Sequence, residues 1–474
     1  MVSSATRLCT NPACDVGEAA SDTKNTCDLS ERCANACAAY GRVCPCAARA
    51  AGRAACNAIT KLSENSQIFQ GSPDFCKLDC NDLVIGKKLG EGGFAVVHEV
   101  VLKSGEEQGQ TFAVKYLKRK VMVNQHNFEL GAADLAVEAY FLAKLDHPNI
   151  VKLHGVTAGS VETNVATGKE CGFFIVIDRL YDTLEQRIEK WKLESEKLTS
   201  RGIIYRRSHD FREKRKAALN ERLKSAMDVV DAMLYLKSKN IIFRDLKPDN
   251  VGFDKDGNLK LFDFGLAKEL KPINKCPDGM YTMTGNTGSR RYMAPEVAKE
   301  IAYDISVDVY SFGILLWEIC AMAKPFFGYS SGKHMQQVVM GGERPRLDDP
   351  NTCWFPLNLQ WLLKKCWSSH PVNRPSLKLV KATLQDIIDG NEKVPTVIKA
   401  IATKEEPLPP QAGIFASMGP PTRRRHKTVG EETKGITLEA TSTKQEYTTP
   451  PKAVPVARVT RSIGFLLGNH SPKS

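Results

Sequence analysis

The chain has 474 residues, of which 42% are hydrophobic and 25% charged, and a formal net charge of +12. Its Lys and Arg residues are scattered, which favours a solvated surface and argues against a nucleic-acid partner. No apolar run reaches the roughly 18 residues of a membrane-spanning helix and the start, MVSSATRLCT, has no signal-peptide-like segment, so we expect a cytoplasmic protein without a transmembrane segment, a nuclear location being the alternative.

Residues 1–80 form a Cys- and Ala-rich head that contains ten of the 15 cysteines. The head has little periodic apolar pattern, and we predict that it is disordered or only locally helical. A zinc or redox module is the weaker alternative, because no Cys-x-x-Cys pair occurs and the first histidine is His98. A disulfide framework fits the cysteine density but not an intracellular location.

From Leu83 the pattern becomes typical of strands. The stretch LVIGKKLGEGGFAVVHEVVL predicts two strands joined by a glycine turn, and QTFAVKYL and GFFIVID predict two more. Between these last two, AADLAVEAYFLAKL carries apolar residues at helical spacing. The first half of the domain is therefore predicted to be rich in β-structure.

The second half is predicted to be mainly helical. LKSAMDVVDAMLYLKSK is amphipathic, DVYSFGILLWEICAM is apolar nearly all round and should be buried, and NLQWLLKKCW is a short helix. Strands first and helices second predict an α+β fold of two lobes with a cleft between them. The basic insertion 192–216 is predicted to be a solvated loop or helix extension, with a docking surface as the alternative. The Pro-rich tail, 391–474, is predicted to be disordered.

The glycine turn LGEGGFAVV is a candidate phosphate-binding loop. Gly90 and Gly92 allow a tight turn that brings backbone N–H groups against phosphate oxygens, where a side chain would clash. A dinucleotide-binding turn is disfavoured, because that motif opens a helix whereas strand-like residues flank this one. On its own the turn is equally typical of an ordinary hairpin.

Charged residues follow in a fixed order. Lys115 ends the strand FAVK, and Glu138 lies on the next helix, where the pair could hold an ammonium group on a phosphate. IIFRDLKPDN presents Asp245 and Asn250 after an apolar strand, and in LKLFDFGLAKE another apolar strand ends at Asp263. RYMAPE then follows. Each fragment is common alone, but this order and separation are those of the protein-kinase signature set.

The chain from about residue 81 to residue 388 thus resembles a eukaryotic protein kinase domain. DLKPDN is similar to serine/threonine kinases, and GSRRYMAPEV, DVYSFGILLWEI and CWSSHPVNRPS are similar to the tyrosine-kinase-like group. The resemblance implies a bilobal protein-kinase-like fold at 81–390, with a β-rich N-lobe at 81–177 and a helical C-lobe at 181–390. It also implies transfer of the γ-phosphoryl group of ATP to Ser/Thr hydroxyls of protein substrates.

The resemblance assigns a role to each polar group. Asp245 would accept or orient the proton of the substrate hydroxyl, and Lys247 would neutralise charge on the transferred phosphoryl group. Lys115, held by Glu138, would contact the α- and β-phosphates. The metal ligands, for Mg²⁺ or alternatively Mn²⁺, would be Asn250 and Asp263.

The resemblance also places the rest of the nucleotide. Adenine would lie against the segment after FFIVI, with Ile177 as gatekeeper and with backbone groups offered by Asp178 and Leu180. Asp182 would contact the ribose or, equally, cap the next helix. The ATP-binding residues of the N-lobe would be Leu89, Gly90, Glu91, Gly92, Gly93, Phe94, Ala95, Val97, Ala113, Lys115 and Glu138.

Three residues depart from the family pattern. Ala95 replaces the third glycine of the loop, Phe243 replaces the usual His before Arg244, and Gly252 replaces a larger apolar residue under the adenine. The family's His packs in an apolar column, here Leu142, Leu153, Phe264 and Phe243, and Phe can fill that slot. We therefore interpret the loop as active. A pseudokinase or ATP-binding scaffold is the alternative that the departures favour.

Arg244 directly precedes Asp245, which implies control by phosphorylation of the activation loop by an upstream kinase. A phosphate there carries a charge of about −1.5 to −2 and would pair with Arg244. The sequence does not choose among the candidate acceptors, which are Thr282, Thr284 and Thr287. Ser289 is predicted to line the peptide-binding loop. Two scaffold contacts are also implied, a Glu296–Arg374 pair and a bond from Asp308 to the catalytic loop.

Overall fold

The computed structural model describes residues 43–71, 73–103, 107–166 and 172–391. The predictions for residues 1–42 and for the tail after residue 391 lie outside the described residues. Within the described ranges, no helix is both long enough and apolar enough to span a bilayer.

The N-lobe is built on a six-stranded sheet with the strand order β1-β5-β6-β4-β3-β2. Strand β1 runs parallel to β5, and the other neighbours are antiparallel. Because buried and partly buried residues roughly alternate along β3, one face of the sheet packs on the core. The strands are β1 (Lys77–Leu78), β2 (Leu83–Glu91), β3 (Ala95–Leu102), β4 (Thr111–Leu117), β5 (Leu153–Thr157) and β6 (Phe174–Ile177).

The longest helix of this lobe packs on its sheet, and the other helices pack on that helix or on one another. The helices are α1 (Pro45–Ser63), α2 (Arg119–Val123), α3 (Gln125–Lys144) and α4 (Val161–Ala166). Helix α3 begins after Asn124, whose side chain accepts the N–H of Asn127 and so satisfies one of the free donors of the first turn. It carries Glu138 and is the helix predicted from AADLAVEAYFLAKL.

The C-lobe is mainly helical, and α9 is its central helix. Its 16 residues, Ser306–Ala321, are buried except for the first, as the uniformly apolar sequence predicts. The helices are α5 (Leu184–Thr199), α6 (Ile203–Arg206), α7 (His209–Ser238), α8 (Pro295–Ala298), α9 (Ser306–Ala321), α10 (Ser331–Lys333), which runs into a π-helical turn (His334–Met340), α11 (Leu357–Cys366) and α12 (Leu377–Ile388).

Two small sheets carry the loops at the cleft. Strand β9 lies between β10 and β7, and β8 pairs with β11, all antiparallel. The strands are β7 (Asp182–Thr183), β8 (Ile241–Ile242), β9 (Val251–Phe253), β10 (Leu259–Leu261) and β11 (Lys268–Glu269). The predicted two-lobed α+β fold is confirmed.

Of the two forms predicted for the head, disordered or only locally helical, residues 43–71 take the second. They form helix α1 and a following segment, and α1 packs along α3 more extensively than any other two described helices do. Ala is the best helix former, and the alanines of α1 recur on one buried stripe. Low hydrophobicity therefore does not indicate disorder here.

Two observations concern the disulfide framework and the zinc or redox module that were considered for the head. Cys56, half-buried on α1, is disulfide-bonded, which the sequence interpretation disfavoured. No group of three or more His, Cys, Asp or Glu side chains is arranged around a metal position in the described ranges.

The basic insertion 192–216 is a helical extension, one of the two forms predicted. Helix α5 continues to Thr199, and α7 starts at His209, where the Ser208 side chain accepts the N–H of Phe211. The docking alternative stays a prediction.

Candidate active site

Three charged side chains meet where the lobes face each other. Lys115 Nζ lies 2.6 Å from Glu138 Oε2 and 3.3 Å from Asp263 Oδ1. Lys115 comes from β4, Glu138 from α3, and Asp263 from the turn after β10, where its φ is 68°. The cleft at this point is also lined by Gly93, Phe94, Ala95 and Asp245.

Burial makes this cluster electrostatically strong. Burial alone would lower the pKa of Lys115, but the negative charges of Asp263 and Glu138 more than offset it and raise the pKa above its usual value. Burial also raises the pKa of Glu138 to about 7, with Asp263 adding to the shift and Lys115 opposing it. The ammonium group is therefore held charged in the cleft, as a phosphate contact requires.

The catalytic loop forms a second cluster around Asp245. Its Oδ2 accepts hydrogen bonds from Lys247 Nζ at 2.9 Å and from Asn250 Nδ2 at 3.0 Å. Its Oδ1 accepts the backbone N–H of Ser289 at 2.7 Å, and Lys247 Nζ also donates to Ser289 Oγ at 3.0 Å. The carboxylate is thus fixed in orientation by both the catalytic loop and residues 263–296, which we call the activation segment.

Two buried oxygens near these clusters have no hydrogen-bond partner among the described residues, Glu138 Oε1 and Asn250 Oδ1. A buried amide oxygen without a donor is costly unless something binds it. The Oδ1 of Asn250 together with the Asp263 carboxylate is the oxygen donor set that Mg²⁺ and Mn²⁺ prefer, so these residues fit a divalent cation.

Asp308 fixes the backbone of the catalytic loop, as predicted. Its carboxylate accepts the N–H of Phe243 at 2.7 Å and of Arg244 at 2.9 Å. Burial raises the pKa of Asp308 to about 6, although both hydrogen bonds oppose the shift. The predicted Glu296–Arg374 pair is also present, with two contacts of 2.5 and 2.9 Å.

Phe243 packs in a column of aromatic rings. Its ring meets that of Phe264 edge-on at 5.1 Å, Phe264 lies 6.4 Å from Phe141, and Phe141 meets Phe69 at 4.9 Å. Leu142 and Leu153 were also expected in this column. Leu142 lies in the same core and Leu153 packs against it. The rings themselves continue through Phe141 and Phe69, which were not predicted from the sequence.

The glycine loop joins β2 and β3. Gly92 N–H donates to the carbonyl of Ala95 at 2.8 Å, and Phe94 lies against Gly131 of α3. Lys118 and Lys88 lower the pKa of Glu91 to about 2, because both lysines form ion pairs with its carboxylate. The predicted ATP-binding residues Leu89, Val97, Ala113 and Ile177 are buried in one hydrophobic cluster. Gly90 lies in β2 opposite Val97.

Residues 178–180, which follow β6 and which we call the hinge, explain why residue 252 is glycine. A Cβ atom at Gly252 would lie 2.6 Å from Leu180 Cδ1, so the Leu180 side chain occupies the space that a larger residue would take. The Asp178 carboxylate is engaged by His154 at 2.8 Å and by Lys152 N–H at 3.0 Å, and the N–H of Asp178 donates to the Lys152 carbonyl at 3.1 Å. The backbone contact of Asp178 with adenine stays a prediction.

Asp182 is not the helix cap considered for it. The cap of α5 is Thr183, whose Oγ1 accepts the N–H of Gln186. Asp182 Oδ2 lies 2.7 Å from Lys190 Nζ instead. Its ribose role stays a prediction.

The three candidate threonines differ in their surroundings. Thr284 is exposed, and its Oγ1 lies 2.9 Å from Arg244 Nη1. Thr282 Oγ1 is 3.4 Å from Cys276 Sγ, and the Thr287 hydroxyl donates to nearby backbone carbonyls. Only Thr284 of the three is placed against Arg244.

Residues 83–384 match the family described as protein tyrosine and serine/threonine kinase. The chain therefore belongs to the protein kinase family, which confirms the resemblance. Among its relatives are a probable serine/threonine-protein kinase of Dictyostelium discoideum (30% identical, covering 66% of this chain and 28% of that protein) and the serine/threonine/tyrosine-protein kinase HT1 of Arabidopsis thaliana (29%, 68% and 72%). A third is the dual specificity protein kinase shkB of Dictyostelium discoideum (29%, 63% and 39%). The chain thus spans well under half the length of the two Dictyostelium kinases.

Proposed function

We propose that the protein is an active Mg-ATP-dependent kinase that phosphorylates Ser and Thr residues of other proteins. The observation that carries the proposal is the joint placement of Lys115, Glu138, Asp263 and Asp245 at one cleft. A pseudokinase would be favoured by a gap in this set, and the described residues have none.

The chemistry follows from the positions of these groups. Lys115 would bind the α- and β-phosphates, and Asn250 and Asp263 would hold a divalent cation, Mg²⁺ or Mn²⁺, which neutralises phosphate charge when bound. Asp245 would orient the substrate hydroxyl and take its proton as the new O–P bond forms and the bond to the ADP oxygen breaks. Lys247 lies 2.9 Å from Asp245 and would stabilise charge on the phosphoryl group in transit.

The choice of acceptor rests on two supports. DLKPDN is similar to serine/threonine kinases, and Lys247 contacts Ser289 at the start of the peptide-binding segment. Relatives named as dual-specificity kinases make tyrosine the second candidate acceptor.

We further propose that Thr284 is phosphorylated by an upstream kinase. The Thr284 hydroxyl is exposed and lies against the Arg244 guanidinium. Lys268 is half-buried, and its pKa is lowered by burial and by the positive charges of Arg244 and Lys271, so several cationic groups interact here. A phosphate on Thr284 would neutralise their charge.

Phosphate incorporation from labelled Mg-ATP into a degenerate peptide library tests the activity and the acceptor together. We expect transfer to Ser/Thr peptides by the wild type and loss of transfer in Asp263→Ala. The matched control is Asp256→Ala, since Asp256 is exposed in the turn between β9 and β10. Equal signals from the wild type and Asp263→Ala would refute the enzyme, and transfer to Tyr peptides alone would refute the Ser/Thr assignment.

A further inference from the structure

The segment after helix α1 reaches the activation segment. Ser66 Oγ donates to Glu269 Oε2 at 2.6 Å, and the N–H of Gln67 donates to Glu269 Oε1 at 2.8 Å. Both Ser66 and Glu269 are buried, and Ser66 Oγ also accepts the N–H of Phe69 at 2.7 Å. The two carboxylate oxygens of Glu269 are therefore satisfied by the head.

A second attachment lies two residues further on. Lys271 Nζ donates to the carbonyls of Lys61, Leu62 and Glu64 at 3.0, 2.8 and 2.5 Å. These carbonyls belong to the last turn of α1 and the residue after it, where a helix leaves acceptors free and favours a cation. The end of α1 is thus bound to the chain segment that follows Asp263.

The same head segment contacts helix α3. Phe69 is only 1% exposed and packs against Phe141, three residues after Glu138. Phe141 in turn stacks on Phe264, which directly follows Asp263. Phe69 therefore contacts the helix that carries Glu138, and it does so at the ring that stacks on the residue after Asp263.

The head therefore contacts both elements on which the cleft depends, α3 and the segment after Asp263. We propose that residues 43–71, which we call the brace, hold these elements in register, with Ser66 and Phe69 as positioning residues for phosphoryl transfer. This proposal rests on the proposed kinase function. It assigns part of the Cys- and Ala-rich head to the working of the site rather than to a separate module.

The competing explanation is that the brace only adds stability by covering apolar surface. Phe75 offers a matched comparison, because it also comes from the segment before β2 and packs on α3, against Tyr140 at 5.3 Å, outside the ring column. If the brace only stabilises the fold, Phe69→Ala and Phe75→Ala should have similar kcat values. If the brace positions the catalytic groups, only Phe69→Ala should have a lowered kcat.

The experiment uses the full chain, well below its unfolding temperature. We expect Phe69→Ala and Ser66→Ala each to lower kcat by about tenfold or more, since small misplacements at a catalytic centre are costly. Phe75→Ala should retain kcat within about twofold, and Phe69→Leu and Ser66→Thr should restore most of it. Amide hydrogen exchange of α3 should be faster in the two defective variants and unchanged in the rescued ones.

Ser66→Ala leaves no large cavity, so it keeps the test valid if Phe69→Ala does not fold. Unchanged kcat and unchanged α3 exchange in Ser66→Ala would overturn the brace. A wild type without phosphoryl transfer would instead refute the proposed function, and the exchange comparison would still decide the brace.

Discussion

Phe243 shows how a residue that departs from its family can leave the site intact. The side chain is 1% exposed and packs edge-on against Phe264, while its backbone N–H is bound by Asp308. The position is therefore used for ring packing and backbone fixation, and neither needs an imidazole. Because Asp245 lies two residues further on and keeps its own partners, the substitution does not reach the proton-accepting group.

Thr284 is the residue at which we expect regulation. Compared with wild-type protein isolated with its activating phosphate, the Thr284→Ala variant should have a kcat/KM that is lower by about 5- to 150-fold, the usual range of coupling between a regulatory and an active site. The reason is that the Arg244 guanidinium would lose its anionic partner. Thr282→Ala is the matched control, because Thr282 faces Cys276. Phosphopeptide mapping that finds no phosphate at 284, or full activity of Thr284→Ala, would contradict this assignment.

His334 should make the protein sensitive to acid. Burial, reinforced by Arg290, Arg291 and Arg344, lowers its pKa from 6.5 to about 4, and its Nε2 is buried without a partner among the described residues. Since the folded state binds a proton less readily than the unfolded state, the stabilisation is complete above pH 6.5 and is lost as the pH falls towards 4.

We expect the acid loss from this group between about pH 7 and about pH 5 to be about 1 kcal/mol, allowing for solvent screening. His334→Gln should remove that part of the slope in urea unfolding. Groups such as Asp308 and Glu318, whose pKa values are raised to about 6, act in the opposite sense, so the difference between wild type and variant is what counts. An unchanged slope in the variant would rule out this role.

At the scale of elements, the sequence predicts the helices and strands that have a periodic apolar pattern. It does not predict contacts between residues that are distant in sequence. Strands β2 to β4 and helices α3 and α9 follow from periodicity alone, because one face or all faces are apolar. Helix α1 escapes this rule, since its buried face is mostly alanine and its partner α3 is distant in sequence. The packing of the Leu180 side chain into the space beside Gly252 is missed for the same reason. Neither residue shows it until the fold brings the hinge and β9 together.

The residues of the candidate site also fall into two groups, those that lie in a sequence motif and those that do not. Lys115, Asp245, Asn250 and Asp263 were identified because each lies in a short motif, and the structure brings them to one cleft. Ser66, Phe69 and Glu269 lie in no motif, and only the fold shows that they touch.

The contact between the activation segment and the catalytic loop gives a prediction about glycine. Gly288 has φ +100°, and a Cβ atom there would overlap the carbonyl oxygen of Arg244. Gly279, in the same segment, has φ +87° but open space around it. Both Gly→Ala variants should lose about 1 kcal/mol of stability to backbone strain, and Gly288→Ala should lose more because of the overlap with Arg244.

Only Gly288→Ala should also lose activity, by about 100-fold, because the backbone before Asp245 must shift. Urea unfolding and kcat measured on both variants separate the two effects. Equal kcat values for the two would show that the segment accommodates the extra methyl group.

For the whole molecule, the cleft is where the two lobes are joined electrostatically. Lys115 and Glu138 belong to the N-lobe, and Asp263, 3.3 Å from Lys115, belongs to the C-lobe. A buried pair of this kind is expensive to separate, because each charge would be left without its partner. A bound triphosphate and cation would add contacts to both lobes at once, so ligand binding should stabilise the protein as a unit.

This coupling gives a test of the metal ligands that does not depend on turnover. A non-hydrolysable ATP analogue with Mg²⁺, at 100 times its Kd, should raise the unfolding free energy of the wild type by about 2.7 kcal/mol. Chelation of the metal should remove most of the gain, since without a cation the phosphate charges face Asp263 directly.

The Asn250→Ala variant lacks the buried Oδ1 that has no donor in the free protein. Relative to its own ligand-free state, it should therefore gain less unfolding free energy than the wild type, and that gain should not depend on the metal. Asp256→Ala should behave as the wild type. A gain in Asn250→Ala that equals the wild type's and depends equally on Mg²⁺ would remove Asn250 from the metal site and leave Asp263 as its remaining proposed ligand.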